Sequence, residues 1–322
     1  MFEITEDATG ALWFNGHRYG LMRYADGKTT RLSGSGVFPR KGPDAIASDA
    51  QGRVWIGYSD GTLLRHEAGQ TTRLTPADGL AIGAIKVIAR QGAHLWVGGE
   101  RGVQLLSEPG FPRLRLADAD ALEGVSGLVE TPEGELWING ANGITRLRAD
   151  EVRRALASAT EAEQRPAGRR FDLLDGLTGR AEQSWPLRTA ARTPDGLLWF
   201  SLSNGVVRVD PRRLPEGESK PPAVDIHQLS VHGEPVAAGL DGADRVLRLA
   251  PGTRDLEIAY TAISLAQPER TRFRYRLVGQ DRDWQDAGAR RRAFYTNLGP
   301  GTYEFRVEAS QDRGPWSATP AA

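Results

Sequence analysis

The sequence predicts an all-β chain in two parts: β-propeller blades, five visible four-stranded repeats forming a partial propeller, followed by an immunoglobulin/fibronectin-III-like β-sandwich. Three observations predict it. A glycine–tryptophan–glycine unit recurs at near-constant spacing. The recurrence stops at a run rich in proline, glycine and charge. Alternating strand patterns fill the remainder.

The five copies of the unit are "GALWFNGHRYGLMRY", "GRVWIGYSDGTLLRH", "GAHLWVGGERGVQLL", "GELWINGANGITRLR" and "GLLWFSLSNGVVRVD". Their tryptophans, Trp13, Trp55, Trp96, Trp137 and Trp199, are 42, 41, 41 and 62 residues apart. Gly10, Gly52, Gly134 and Gly196 stand three residues before them and Gly92 four; Gly61, Gly102, Gly143 and Gly205 stand six after and Gly20 seven. Asp7, Asp49, Ala89, Thr131 and Thr193 come three before the leading glycines. Asp or Thr opening a turn that glycine closes is tight-turn chemistry, and Pro132 and Pro194 supply the fixed φ wanted at its second position.

Each unit therefore reads strand, turn, tryptophan strand, turn, strand, turn, strand. In the third copy the four strands are "AIKVIA" (84–89), "HLWVGG", "GVQLL" and "PRLRLA". Four short strands in about 40–45 residues make a propeller blade. The density of glycine and the lack of a helical period exclude helical repeats. The longer gap before Trp199 holds a helical insertion near 149–170, "ADEVRRALASATEAEQRPAGRR", with Asp150 as cap, a helix to about Glu163, and Pro166 and Gly168 ending it.

"PEGESKPPAV" (215–224) reads as a linker. It separates propeller repeats at 1–220 from a sandwich at 221–322. The strands expected beyond it are "AVDIHQLSV", "RVLRLA", "DLEIAYT", "RFRYRLVG" and "TYEFRVEAS". In the last, Tyr303, Phe305, Val307 and Ala309 share one face. Tyr303 follows the Pro-Gly turn of "LGPGTYEFRV", where an immunoglobulin-like fold places its tyrosine corner.

Composition narrows the function. Lys+Arg and Asp+Glu are both 41, so the chain lacks the basic footprint of a nucleic-acid binder. There are no cysteines, which removes disulfides, thiol catalysis and cysteine-ligated metal. No apolar run is long enough to span a bilayer and no signal peptide is visible, so membrane attachment is expected only through flanking segments. No catalytic residue, cofactor site or metal site is predicted. "GKT" at 27–29 follows Met22 where a phosphate loop needs glycine, and "GVSG" lacks the nucleophile-elbow spacing. His17, His66, His94, His227 and His232 form no zinc-binding pair. Asp281, Asp283 and Asp286 lack the regular oxygen spacing of a calcium loop.

With the first strand innermost, the turns between second and third strands share one face near the axis. They would bring Tyr19, Tyr58, Glu100, Arg101, Asn142 and Asn204 onto a common rim. Aromatic and amide groups on a rigid scaffold suit a small polar ligand such as a carbohydrate.

The blade pattern, Asp-x-x-Gly-x-Leu/Val-Trp, resembles the two-component regulator propeller repeat, most closely in "PADGLAIGAIKVIARQGAHLWVGGERGVQLL" and in 173–211. "FRYRLVGQDRDWQDAGARRRAFYTNLGPGTYEFRVEAS" resembles the Y_Y_Y domain, with Tyr275, Tyr295, Tyr303 and Trp284 in place. The resemblance implies the periplasmic, ligand-sensing region of an inner-membrane receptor, whose output is a histidine kinase, hybrid two-component system or diguanylate cyclase. It implies more blades than five and a last sandwich strand beyond "GPWSATPAA", so the chain reads as a fragment with a C-terminally truncated sandwich. It also implies pairing of subunits through the sandwich as a homodimer. The alternatives are a non-catalytic interaction scaffold, or a streptogramin-lyase-like enzyme sharing the "GLLWF" type of blade.

Overall fold

The computed structural model describes residues 3–16, 18–92, 94–107, 110–157, 165–183, 188–214, 221–236, 246–264, 268–311, 314, 316 and 317. The chain divides into two units, Met1–Leu214 and Pro215–Ala322.

The first unit is a succession of five antiparallel sheets, each with its strands in chain order. Blade 1 holds β1 (Ile4–Glu6), β2 (Leu12–Gly16), β3 (Gly20–Ala25) and β4 (Lys28–Arg31). Blade 2 holds β5 (Ala45–Ser48), β6 (Val54–Gly57), β7 (Leu63–Glu67) and β8 (Gln70–Leu74). Blade 3 holds β9 (Ile85–Gln91), β10 (His94–Gly99) and β11 (Gly102–Leu105). Its expected fourth strand, "PRLRLA", is reduced to a bridge between Gln104 and Arg113, because Pro112 has no N–H to give a ladder. Blade 4 holds β12 (Gly127–Glu130), β13 (Leu136–Gly140), β14 (Gly143–Leu147) and β15 (Arg169–Phe171). Blade 5 holds β16 (Ala190–Arg192), β17 (Leu198–Leu202) and β18 (Gly205–Val209). The first strands of successive blades neighbour one another, so they are the inner ones.

The helix of the insertion is α1 (Ala149–Ala157). Asp150 lies inside its first turn and bonds Arg154 at 3.0 Å, so it is not the cap. Glu151 instead accepts from the Arg148 N–H at 2.8 Å. Val152 and Ala155 bury the helix against the cluster between blades 3 and 4. The expected extension through 158–163 lies outside the described residues.

Each interior blade interface is built the same way. The tryptophan face of one blade packs on the aliphatic face of the next: Trp13 and Leu21 meet Ile46, Val54, Ile56 and Leu64. Trp55 meets Leu95 and Val97, Trp96 meets Leu128 and Ile138, and Trp137 meets Leu198 and Phe200. These four tryptophans are at most 1% exposed. A buried indole N–H needs an acceptor. The turn supplies it in blades 1 and 2, where Asp7 Oδ2 accepts from Trp13 at 2.7 Å and Asp49 Oδ2 from Trp55 at 2.8 Å. The other oxygen of each carboxylate caps its own turn, Asp7 Oδ1 accepting from Thr9 and Ala11, and Asp49 Oδ1 from Gln51 and Arg53. Blade 3 has no such Asp, and Trp96 donates at 2.7 Å to Glu130 of blade 4. Trp137 donates to Glu135, itself bound to Arg146, at 3.2 Å.

The glycine flanks follow from the turns. Gly134 closes its turn at φ 85°, donating to Thr131 O at 2.9 Å. At Gly143, φ 117°, a Cβ would come 2.3 Å from Phe171 O. Side chains are disfavoured by conformation at both and excluded by space at the second.

The second unit is a two-sheet sandwich. One sheet has the order β20 (Glu234–Pro235), β19 (Val224–Val231), β21 (Leu256–Ala262), β24 (Arg292–Tyr295). The other has the order β23 (Gln285–Gly288), β22 (Thr271–Val278), β25 (Glu304–Gln311). Tyr260, Phe273, Tyr275, Tyr295 and Val307 lie in its core. The Tyr303 hydroxyl donates back to Gly299 O at 3.0 Å, which is the tyrosine-corner bond. "RVLRLA" is not a strand: 246–250 carry no ladder and Val246 is 81% exposed. The guanidinium of Arg274 lies between the rings of Trp284 (4.8 Å) and Trp316 (4.6 Å) and donates to Glu308 at 2.7 Å.

Two predictions follow from the tryptophan latch. Asp49→Ala orphans the buried Trp55 N–H and uncaps the turn, so chemical denaturation should show a loss of about 2 kcal/mol, with Asp49→Asn losing less. Burial would raise the Asp7 carboxyl, but bonds from Thr9, Trp13 and Ala11 bring it down to about 2. Its contribution is therefore complete above the unfolded value near pH 4 and is lost as pH falls towards 2. Asp7→Asn should flatten the stability–pH curve in that window, and an unchanged slope would contradict the assignment.

Candidate functional site at the axial face

In blades 2 to 5 the turn between second and third strands is held by the loop entering that blade. Glu100 N–H donates to Ala84 O, Ala141 N–H to Glu123 O and Ser203 N–H to Arg180 O, at 2.9, 2.9 and 2.8 Å. In blade 2 the side chain does this work: Asp44 Oδ2 accepts from Ser59 N–H at 2.5 Å. Turns and entry loops thus make one continuous face at the entry ends of the inner strands.

The six rim residues separate on this face. Tyr19 is exposed in the β2–β3 turn. Tyr58 is fully buried between blades 1 and 2, which corrects its expected place on the rim. It stands two residues after Ile56 and so continues that strand's buried face. Burial, with Asp60 and Asp44 nearby, pushes its phenol up. The Asn142 amide donates to Asp120 O at 2.9 Å, and that of Asn204 to Thr178 Oγ1 at 2.5 Å. Both tie down entry loops. Glu100 and Arg101 remain at the surface, 3.8 Å apart.

Charged groups that the repeat pattern did not single out converge with Glu100. Lys86, second residue of the inner strand β9, donates to Gln183 Oε1 of the blade 5 entry loop. Burial pulls the Lys86 ammonium below the ordinary lysine range, while Glu100, Asp44 and Glu182 oppose the shift. Gln183 donates in turn to Gly124 O at 2.8 Å and Ala181 O at 3.0 Å. Arg188, just before β16, donates to Glu3 Oε1 at 2.9 Å and to Ile88 O at 3.2 Å. Glu3 Oε2 accepts from Ile46 N–H at 2.5 Å. Burial pushes the Glu3 carboxyl up and Arg188 opposes it. This one ion pair therefore joins blades 1, 2, 3 and 5.

The face offers donors and acceptors of both signs on rigid strand ends. Among the described residues no cluster of three or more His, Asp or Glu is placed to hold a metal ion. The sequence did contain a signal for the charged centre: a lysine inside the otherwise apolar inner strand "AIKVIA". Asp44, Gln183 and Arg188 lie in loops whose convergence depends on the closure of the blades around the axis.

Residues 264–322 match the Y_Y_Y domain, and residues 36–66 match the strictosidine synthase-like N-terminal family. No curated protein matches the chain. Among solved structures, the chain superimposes on the extracellular domain of the proposed hybrid two component system BT3049 from B. thetaiotaomicron with a TM-score of 0.75 at 17% identity, covering 99% of this chain and 43% of that one. Virginiamycin B lyase from Staphylococcus aureus gives 0.47 at 15% identity over 66% of this chain and 67% of that one. The first likeness shows the fold, a propeller array followed by a Y_Y_Y domain in one chain; the chain spans less than half the length of that structure.

The axial ion pair makes a prediction of its own. Arg188→Met leaves the largely buried Glu3 carboxylate without its half-exposed partner and should cost about 1–3 kcal/mol, most of it recovered in Arg188→Met/Glu3→Gln. A double-mutant cycle with no coupling would contradict this role.

Proposed function

We propose that this chain is the ligand-sensing, extracytoplasmic part of a signal-transduction receptor, and that it is not an enzyme. The observation that carries the reading is the succession of propeller blades and a Y_Y_Y domain in one chain, with the fold of a two-component-system extracellular domain. The ligand is a small polar molecule of the carbohydrate type, taken at the axial face by Lys86, Glu100, Arg101 and Tyr19. Sugar hydroxyls both donate and accept, and this face presents both kinds of partner in one place. Binding there bears on several blades at once, because Lys86, Gln183 and Asp44 come from different blades or entry loops. In the whole receptor the signal leaves through the sandwich, whose pairing between subunits would pass it to an output domain.

The test is calorimetric titration of the chain with a panel of neutral and acidic oligosaccharides. Saturable binding to at least one class is expected, weakened about tenfold or more by Glu100→Gln or Lys86→Met, each near one charged hydrogen bond in worth. No binding across the panel, or binding indifferent to both substitutions, would remove the axial site.

A further inference from the structure

The sequence uses arginine 37 times and lysine four times, as Lys28, Lys41, Lys86 and Lys220. Lys86 lies in the inner strand of blade 3, where the pairing with the second strand is interrupted. Gly98 pairs with Val87 and Gly99 with Ile85, so Lys86 is an extra residue between them. The inner strands of the other four blades pair with their second strands without a shift. A bulge of this kind re-aims a side chain. Ile85 packs towards blade 2 and Val87 towards blade 4. Lys86 leaves both packed faces and reaches Gln183 in the entry loop of blade 5.

The ammonium is held there without being neutralised. Gln183 Nε2 is committed to Gly124 O and Ala181 O, which turns its Oε1 towards Lys86. Among the described residues no carboxylate forms an ion pair with Lys86. Lys41, by contrast, is paired with Asp60 at 3.2 Å. Glu100, Asp44 and Glu182 act on Lys86 only from further away, and its half-burial outweighs them and favours the free amine. A lysine can give up its proton under such desolvation and become a nucleophile, whereas an arginine stays charged. The chain uses arginine for nearly every other cation and places a lysine at this bulge.

We propose that Lys86 captures aldehydes, such as the open-chain form of a reducing sugar, as a protonated imine at the axial face. The ammonium first gives one proton to solvent. Its lone pair then forms the C–N bond while the C=O π pair moves onto oxygen. That oxygen takes one proton from nitrogen and one from solvent and leaves as water. One N–H and the positive charge stay on nitrogen, now doubly bonded to carbon. Charge is conserved, so no ion pair is lost and Glu100, Asp44 and Glu182 stabilise the iminium as they did the ammonium. Gln183 Oε1 remains the acceptor for the one N–H left. The inference rests on the axial-face reading for where the ligand lies, and adds how its carbonyl carbon is held.

The test incubates the full chain at neutral pH with glyceraldehyde and sodium cyanoborohydride, whose hydride converts the imine to a stable secondary amine. Peptide mass mapping then reads the rate at each lysine. Lys86 should be modified at least about tenfold faster than Lys28, which is exposed on an outer strand, because desolvation and orientation activate the amine. Gln183→Glu gives Lys86 a carboxylate partner and should remove this preference while Lys28 is unchanged and circular dichroism remains native. Lys86→Arg should abolish capture at this position and leave the fold intact. Modification of Lys86 no faster than of Lys28 overturns the proposal, and so does a preference that survives Gln183→Glu. Capture of glyceraldehyde at Lys86 by a chain that takes no oligosaccharide supports it and removes only the oligosaccharide ligand. Oligosaccharide binding without preferential capture removes only the imine.

Discussion

The array of blades depends on a tryptophan that is wedged between two sheets with its one polar atom answered. Burying an indole of this kind is worth about 3–5 kcal/mol on truncation, more than any single hydrogen bond here supplies. Yet the wedge sits in a dry interface, where an unanswered N–H would cancel a large part of that gain. The chain meets the need by placing a carboxylate in the turn before the tryptophan strand, as at Asp7 and Asp49. Where that position is not acidic, Glu130 or Glu135 takes over. The acceptor can belong to the same blade or to the next, and in the second case the polar bond itself becomes an interblade contact.

Close approach of the inner strands depends on the residue two places after each tryptophan. At Gly57 and Gly98 an added Cβ would lie 2.4 Å from Ile85 Cγ2 and 2.8 Å from Val125 Cγ1. Asn15 and Asn139 take the same position in blades 1 and 4. Each reaches into the chain entering the next blade, Asn15 to Pro43 O at 2.7 Å and Asn139 to Thr189 O at 3.1 Å. One position therefore serves either as a space or as a bridge. This brings the entry loops inward, and with them the charged groups of the axial face. The scaffold's packing and the placement of Lys86, Asp44, Gln183 and Arg188 are consequences of the same geometry.

Much of this was legible in the sequence. Glycine before and after each tryptophan marked both turns, and the recurrence marked the blades, because turn conformations at positive φ restrict residue type strongly. The sandwich strands were legible by alternation, except "RVLRLA", whose described residues 246–250 alternate but carry no ladder. The axial site was legible only in part. Turn position alone put Tyr58 on the rim, whereas strand parity from Ile56 places it in the core. Asn142 and Asn204 were correctly located in their turns, but their amides hold the chain's own loops. Arg188 and Glu3 are 185 residues apart, and nothing local marks such a pair.

The most direct measurement is hydrogen exchange of the indole N–H groups by nuclear magnetic resonance, on dilute protein, with assignments from single substitutions. The interblade latch requires slow exchange at Trp13, Trp55, Trp96 and Trp137, and fast exchange at Trp199, whose face is open. Fast exchange at the four interior indoles, or equal protection at Trp199, would contradict it.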